Sequence, residues 1–364
     1  MLIKLPGFYI NIPIGAVAAV IIALSFKAQE TAKFARISFK EKLYHFDILG
    51  ILTIMASVVC FVLALQNAGV TYPWRSSMVI GLLIGSILLF IVFCGIQYYL
   101  DERAMVVKRI AKDRTIWAGM AYIFCLASSS WLFIYYIPIY FQVIDGVSAA
   151  ESGNRTIPIV LGMTVATIIT GGAITAMGYH VPFLILSGAL SVAGAALLYT
   201  LTIETGSPAW LVYQSLVGLG YGFGIQIPII AAQAVMKPED VASATAMLLF
   251  AQTLGGSLTL SRAQSGFLNT IIKNLPTTAP GVDPLAVVFT GATDIRKAFP
   301  TAVIPGILRA YMDGLRVAFA LGVAAAGGMM VIALISKWHN LKALHEERAK
   351  LEKGGREDIE AVEG

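Results

Sequence analysis

The stretch Ile48–Leu100 reads ILGILTIMASVVCFVLALQN, then AGVTYPWRS, then SMVIGLLIGSILLFIVFCGIQYYL, and Arg75 is its one charged residue. Crossing roughly 30 Å of hydrocarbon takes about 20 apolar residues in an α-helix. The two halves therefore read as two spans joined by a Tyr72-Pro73-Trp74 turn. Backbone polar groups in lipid must be satisfied within the segment, so such runs are helices. The period-two alternation of a membrane barrel is absent from them.

The same reading extends along the chain. Charge-free runs occupy the interval between Lys4 and Lys27 and the stretches Thr115–Ile144, Thr156–Ile203, Thr205–Met236, Val241–Ser261 and Val317–Ser336. The second of these stretches is too long for one crossing, and Gly178-Tyr179-His180-Val181-Pro182 divides it by turn chemistry. The expectation is an all-α polytopic membrane protein with about nine transmembrane helices. Composition agrees: 57% of the 364 residues are hydrophobic and 13% charged, with a mean hydropathy of +0.78. A soluble domain carries about 25% charged residues.

The net charge of +5 comes from loops flanking apolar runs, so it predicts no nucleic-acid partner. Cys60, Cys94 and Cys125 sit inside apolar runs with no pairing or metal-ligand spacing. No catalytic constellation and no metal site is expected, so the chain is not read as an enzyme. Lys and Arg accumulate at 27–42, 103–114 and 337–356, all on one side of a nine-span layout. The positive-inside rule then places the C-terminus in the cytoplasm. The N-terminus falls outside, and Met1–Pro6 is too short for a cleavable signal sequence. Either the first helix inserts as a reversed anchor or the chain has lost its beginning.

Particular blocks carry a resemblance: Gly7-Phe8-Tyr9-Ile10-Asn11-Ile12-Pro13-Ile14-Gly15; Phe46-Asp47-Ile48-Leu49-Gly50; and Tyr136-Ile137-Pro138-Ile139-Tyr140-Phe141-Gln142, followed by Gly146-Val147-Ser148 and Glu151-Ser152-Gly153. Further on come Gly218-x-Gly220-x-Gly222-x-Gly224-x-Gln226-x-Pro228 and Phe250-x-Gln252-Thr253-Leu254-Gly255-Gly256. The chain resembles fungal efflux transporters of the major facilitator superfamily, of the fourteen-span drug:proton antiporter type. The resemblance covers nearly all of it except the charged tail. Fourteen spans less nine implies that the first five helices are lacking.

The resemblance implies this organisation: 1–26 the last helix of an N-terminal bundle, 27–46 a cytoplasmic loop, and 47–100 two linker helices. Residues 101–115 form a second cytoplasmic loop, and 116–336 a C-terminal six-helix bundle with a long outer loop at 262–316. Residues 337–364 are a charged cytoplasmic tail.

Transporters of this kind bind substrate near the bilayer midplane between two halves. No ionisable residue sits at the centre of an apolar run, so no proton-carrying residue is assigned. Arg262 closes the eighth run, where the family commonly has a small apolar residue. It is read as snorkelling to the interface, with a tolerated change or a polar cavity as alternatives. Gln214, Gln226, Gln233 and Gln252 are amides in hydrocarbon, which either bond between helices or line a cavity. Gln226 and Gln233 are seven apart and share a face. Trp131 and Tyr135 share a face at i,i+4, with Tyr136 beside them. The candidate substrate path is Gln226, Gln233, Gln252, Trp131, Tyr135 and Tyr136. The four alternating glycines lack a preceding strand, so they read as sites of close helix approach rather than a phosphate loop. Asn154-Arg155-Thr156 is a glycosylation sequon.

The functional expectation is proton-coupled efflux of small amphipathic molecules such as drugs, toxins or secondary metabolites. The proton gradient is the energy source and there is no cofactor. The expected partners are the lipid bilayer, the small substrate and the N-terminal bundle that alternating access requires. The expected location is the plasma membrane, with the vacuolar membrane as the alternative. The competing expectation is a truncated product without transport of its own.

Overall fold

The computed structural model describes residues 11–25 and 47–340. The expected loop at 27–46 and most of the charged tail lie outside them. Helix α1 (Asn11–Ser25) belongs to a compact unit of its own. Pro13 lies in its first turn, where no intrahelical N–H is needed.

The second unit begins at Asp47. Helix α2 (Ile48–Asn67) starts there because the Asp47 carboxylate accepts from Gly50 N at 2.7 Å. Helix α3 (Ser77–Leu100) is capped in the same way by Ser76. The two pack as a hairpin, with Ser57 Oγ donating to Ser86 O at 2.8 Å. Helix α4 (Arg114–Val143) is capped by Asp113, and α5 (Ile157–Met177) ends at Gly178, whose φ of 78° is the left-handed cap. Helix α6 (Val181–Tyr199) follows. The run expected as one span at Thr205–Met236 is broken into α7 (Ser207–Gly224) and α8 (Ile227–Val235). Pro228 supplies no N–H to the preceding turn, which opens the ladder at Ile225-Gln226. Helix α9 (Val241–Thr278) and α10 (Ile304–Ile335) complete the bundle.

Among the described residues eight helical stretches are long and apolar enough to span a membrane, α7 and α8 forming one of them, and α1 is a shorter apolar helix. The β-bridges among the described residues, Ala68 with Tyr72 and Tyr179 with Asn340, are isolated pairs. The protein is an all-α polytopic membrane bundle.

The outer loop expected at 262–316 is shorter than the charge pattern suggested. Helix α9 continues to Thr278 and α10 begins at Ile304, so the connection is 279–303, with short helices at Pro284–Phe289 and Ile295–Ala298. Charges mark where a span leaves lipid, not where a helix ends. The 38 residues of α9 rise about 57 Å, well beyond the hydrocarbon.

The two ends of the bundle differ. One carries Asp47, Asp240 and His339; there Arg109 makes a two-pronged pair with Asp240 at 2.8 and 2.9 Å. The guanidinium holds the Asp240 carboxyl below the usual carboxylate range. The other end carries Trp74 and the 279–303 connection. There Arg155 binds Asp145 at 2.5 Å and Glu151 at 3.2 Å. Burial pushes the Asp145 carboxyl up and Arg155 opposes that push. Arg103, Lys108, Arg109, Lys112, Arg114 and Lys337 all belong to the Asp240 end.

Within lipid the bundle is held by small residues and hydroxyls. Ser129 Oγ donates to Gly322 O at 2.8 Å and meets Tyr221 OH at 2.7 Å, joining α4, α7 and α10. Tyr122 OH donates to Ser187 Oγ at 2.8 Å, and Ser187 donates to Gly220 O at 2.5 Å. Replacing Ser129 with alanine strands the fully buried Tyr221 hydroxyl, which is expected to lower stability by about 1–2 kcal/mol. The measurement is unfolding of the purified protein in detergent, with Ser215→Ala as comparison. Ser215 bonds within its own helix, and that variant is expected to change little.

Candidate functional site

Helices α4 and α9 run in the same direction and touch along their length. Gly119 faces Leu248 and Pro228, Gly255 lies against the Phe124 carbonyl, and Gly256 lies under the Trp131 ring. Ser128 Oγ donates to Gly255 O at 3.0 Å, and Thr259 Oγ1 donates to Ser128 Oγ at 2.9 Å. Glycine at 255 and 256 is what lets the two backbones approach this closely.

This packing decides where the candidate residues fall. Trp131 is 38% exposed and Tyr135 47% exposed, on one stripe of α4. Gln252 is half-buried and stands one turn before Gly256, so it shares the stripe of α9 on which Trp131 rests. Gln226 and Gln233 are both exposed, seven residues apart on one face at α8. Pro228 of α8 abuts Gly119, about 18 Å before Trp131 along α4, so Gln226 and Gln233 lie nearer the Asp240 end than the aromatic pair.

Tyr136 departs from the expectation. It is 1% exposed and packs on Phe267 with ring centroids 5.4 Å apart. Adjacent residues on a helix point about 100° apart, so the exposed stripe of Tyr135 turns Tyr136 into the core. Its hydroxyl has no hydrogen-bond partner among the described residues. Gln214 is fully buried and donates from Nε2 to Arg155 O at 3.0 Å. It ties α7 to the turn before α5 and lines no path. Asn154 is exposed on the short helix Ala149–Arg155.

Sequence reasoning passed over the serine and tyrosine hydroxyls of α4, α6 and α7. Consecutive Ser128-Ser129-Ser130 inside an apolar run was the available signal. A separate polar cleft of about 340 Å³ opens at the Trp74 end, lined by Thr202, Glu204, Arg309, Asp313 and Arg316. It contains none of the candidate residues. Among the described residues no group of three or more His, Cys, Asp or Glu could hold a metal ion.

The exposed rings of Trp131 and Tyr135 with the Gln252 amide form a surface that can receive a flat apolar molecule and orient a polar atom on it. Comparison with known proteins gives that surface a context. The family model described as Major Facilitator Superfamily matches residues 5–260. The chain is 41% identical over 334 residues to the MFS-type transporter grgE of a Penicillium species, covering 92% of this chain and 59% of that protein. It is 39% identical over 342 residues to the probable efflux pump gsfJ of Penicillium aethiopicum, covering 94% and 62%. It is 37% identical over 342 residues to the MFS-type efflux pump MFS1 of Arthroderma benhamiae, covering 94% and 64%. This chain therefore spans roughly three fifths of the length of the curated relatives it matches.

Proposed function

The chain belongs to the Major Facilitator Superfamily, and from that membership we propose that it serves the efflux of small amphipathic molecules across a membrane in exchange for protons. The observation that carries the reading is the exposed stripe of Trp131, Tyr135 and Gln252 on the α4–α9 pair. Large aromatic faces with a few amide tips suit a molecule that is mostly apolar and carries one or two polar groups. Relatives named as efflux pumps support the direction of transport. The stripe is the wall that would meet an opposing half of the transporter during alternating access. The cationic Asp240 end is the cytoplasmic one in this reading, by the positive-inside rule. The proton gradient is the energy source, and the plasma membrane the location.

The test is expression of the chain in an efflux-deficient host, with accumulation of a panel of amphipathic compounds followed by fluorescence. Accumulation is expected to fall on expression and to recover when a protonophore collapses the gradient. Trp131→Ala is expected to raise the half-saturating substrate concentration about thirtyfold, since a central aromatic anchor is worth about 2 kcal/mol. Leu334→Ala, on the exposed face of α10, is expected to leave it unchanged. Stable chain in the membrane with unaltered accumulation would sink the efflux reading for this chain.

A further inference from the structure

A groove of about 260 Å³ lies between α2, α3 and α9, away from the aromatic stripe. Its walls include Val58 and Phe61 of α2, Phe90 of α3, and Leu254 and Leu258 of α9. Ser57 and Ser86 also line it, but their hydroxyl and carbonyl groups are spent on one another. An occupant therefore meets a carbon surface.

One cation closes the groove. Arg262 lies over the Phe61 ring, 5.4 Å from its centroid, and this ring is its only partner among the described residues. A cation facing hydrocarbon without a counter-charge is unfavourable and calls for an anion. Its depth defines which anion. Asn269, seven residues further along α9, accepts from Trp74 Nε1 at 3.2 Å and donates to Ala68 O at 2.9 Å, which marks the level of the turn between α2 and α3. At 1.5 Å per residue Arg262 stands about 10 Å inside that mark. A snorkelling guanidinium at this depth reaches the headgroup level.

Helices α2 and α9 both run from the Asp240 end toward the Trp74 end. Leu258 and Leu254 thus lie one and two turns deeper than Arg262, as Val58 lies deeper than Phe61. The cation is at the rim and the apolar channel leads toward the bilayer centre. That polarity matches a lipid standing in the leaflet, head outward and chain inward. We propose that this groove is a site for one acidic phospholipid of the leaflet at the Trp74 end, its phosphate on Arg262 and one acyl chain along Leu258 and Leu254. A second cleft of about 280 Å³ shares Ile54, Val58 and Leu254 but is lined by no charged residue. It provides an internal comparison, because it has nothing to select an anion.

The test uses the full chain purified in a nonionic detergent and titrated with phosphatidylglycerol or phosphatidylcholine of the same acyl chains. Bound lipids are counted by native mass spectrometry. One phosphatidylglycerol is expected to be held in preference to phosphatidylcholine. Arg262→Gln is expected to weaken it about fivefold, the effect of roughly one basic side chain at a lipid surface, and Arg262→Lys to retain most of it. Leu258→Trp, which fills the groove and leaves the cation, is expected to weaken it as much, whereas Val59→Trp in the second cleft is not. Equal binding of the two lipids with no effect of Arg262→Gln would overturn the site. So would a loss with Arg262→Gln but none with Leu258→Trp, since the charge would then act without a seated chain. Should Arg262→Gln fail to fold, as judged by size-exclusion chromatography, the Leu258→Trp and Arg262→Lys pair decides.

Discussion

Alanine at Gly222 is expected to loosen α7 from α5 and lower stability by about 1–3 kcal/mol, the range for forcing a methyl into a packed interface. A Cβ on Gly222 would fall inside the contact distance of the Met163 carbonyl oxygen and the Ala166 methyl, and one on Gly218 would strike the Ile159 carbonyl. These obstacles are backbone atoms and one alanine methyl of a neighbouring helix, none with a rotamer to change. The four alternating glycines divide into two stripes by helix geometry. Gly218 and Gly222, four apart, face α5, while Gly220 and Gly224 face Ser191 and Ser187 of α6. Gly218→Ala together with Gly222→Ala should therefore do more than either alone. Gly172→Ala is the counterpart: a Cβ there meets nothing within 4 Å, and helix propensity favours alanine by about 0.8–1 kcal/mol. Apparent melting temperatures in detergent are expected to fall for the Gly222 variant and hold or rise for the Gly172 variant. Matching behaviour of the two would dissociate the glycine rows from close packing.

This division explains what the sequence could reveal. Glycines in a charge-free run already imply close approach, because lipid offers no hydrophobic gain on helix association and contact must come from fit. The spans were legible for a similar reason: charge is excluded from hydrocarbon, so the gaps between charges measure it. Helix ends were not legible by that rule. Lys273, Arg309 and Arg316 sit on helices that leave the bilayer before they unwind, and a charge there has no bearing on the backbone. Pairing of Trp131 with Tyr135 followed from i,i+4 spacing, whereas adding Tyr136 ignored the turn of one residue. The Ser129–Tyr221–Gly322 junction had no spacing signal at all, since its members lie on three helices far apart in the chain. Arg262 stood out in the sequence as a charge at the end of a run, but only the neighbouring α2 ring and groove show what it faces.

The second large effect is expected from pH, at the Asp240 end. His180, just before α6, is 2% exposed, and its ring stands 6.4 Å from that of His339 in a nearly parallel stack. Its Nδ1 has no hydrogen-bond partner among the described residues. Burial lowers its pKa to about 4, and the neighbouring His339 adds to the shift, against a hydrogen bond to the His339 backbone that raises it. Lys337 lines the same small cavity, so a protonated His180 would meet another cation there. The unfolded chain takes up this proton near pH 6.5 and the folded one near 4, so the unfolded state binds more protons between those values. Stability from a neutral His180 is thus fully present above pH 6.5 and is lost as pH falls toward 4. The shift of about 2.5 units corresponds to roughly 3 kcal/mol over the whole window, of which about 2 is gone by pH 5. Asp240 lies below the usual carboxylate range and titrates beneath this window, while the raised Asp145 contributes with the opposite sign. Neither can imitate the loss, whereas His339, itself lowered by burial and by Lys337, acts with the same sign as His180. Unfolding of the detergent-purified protein between pH 7.5 and 5 is expected to show the decline, and His180→Gln to make it shallower, with the remainder lost on adding His339→Gln. An unchanged slope in His180→Gln would assign the acid sensitivity to another group.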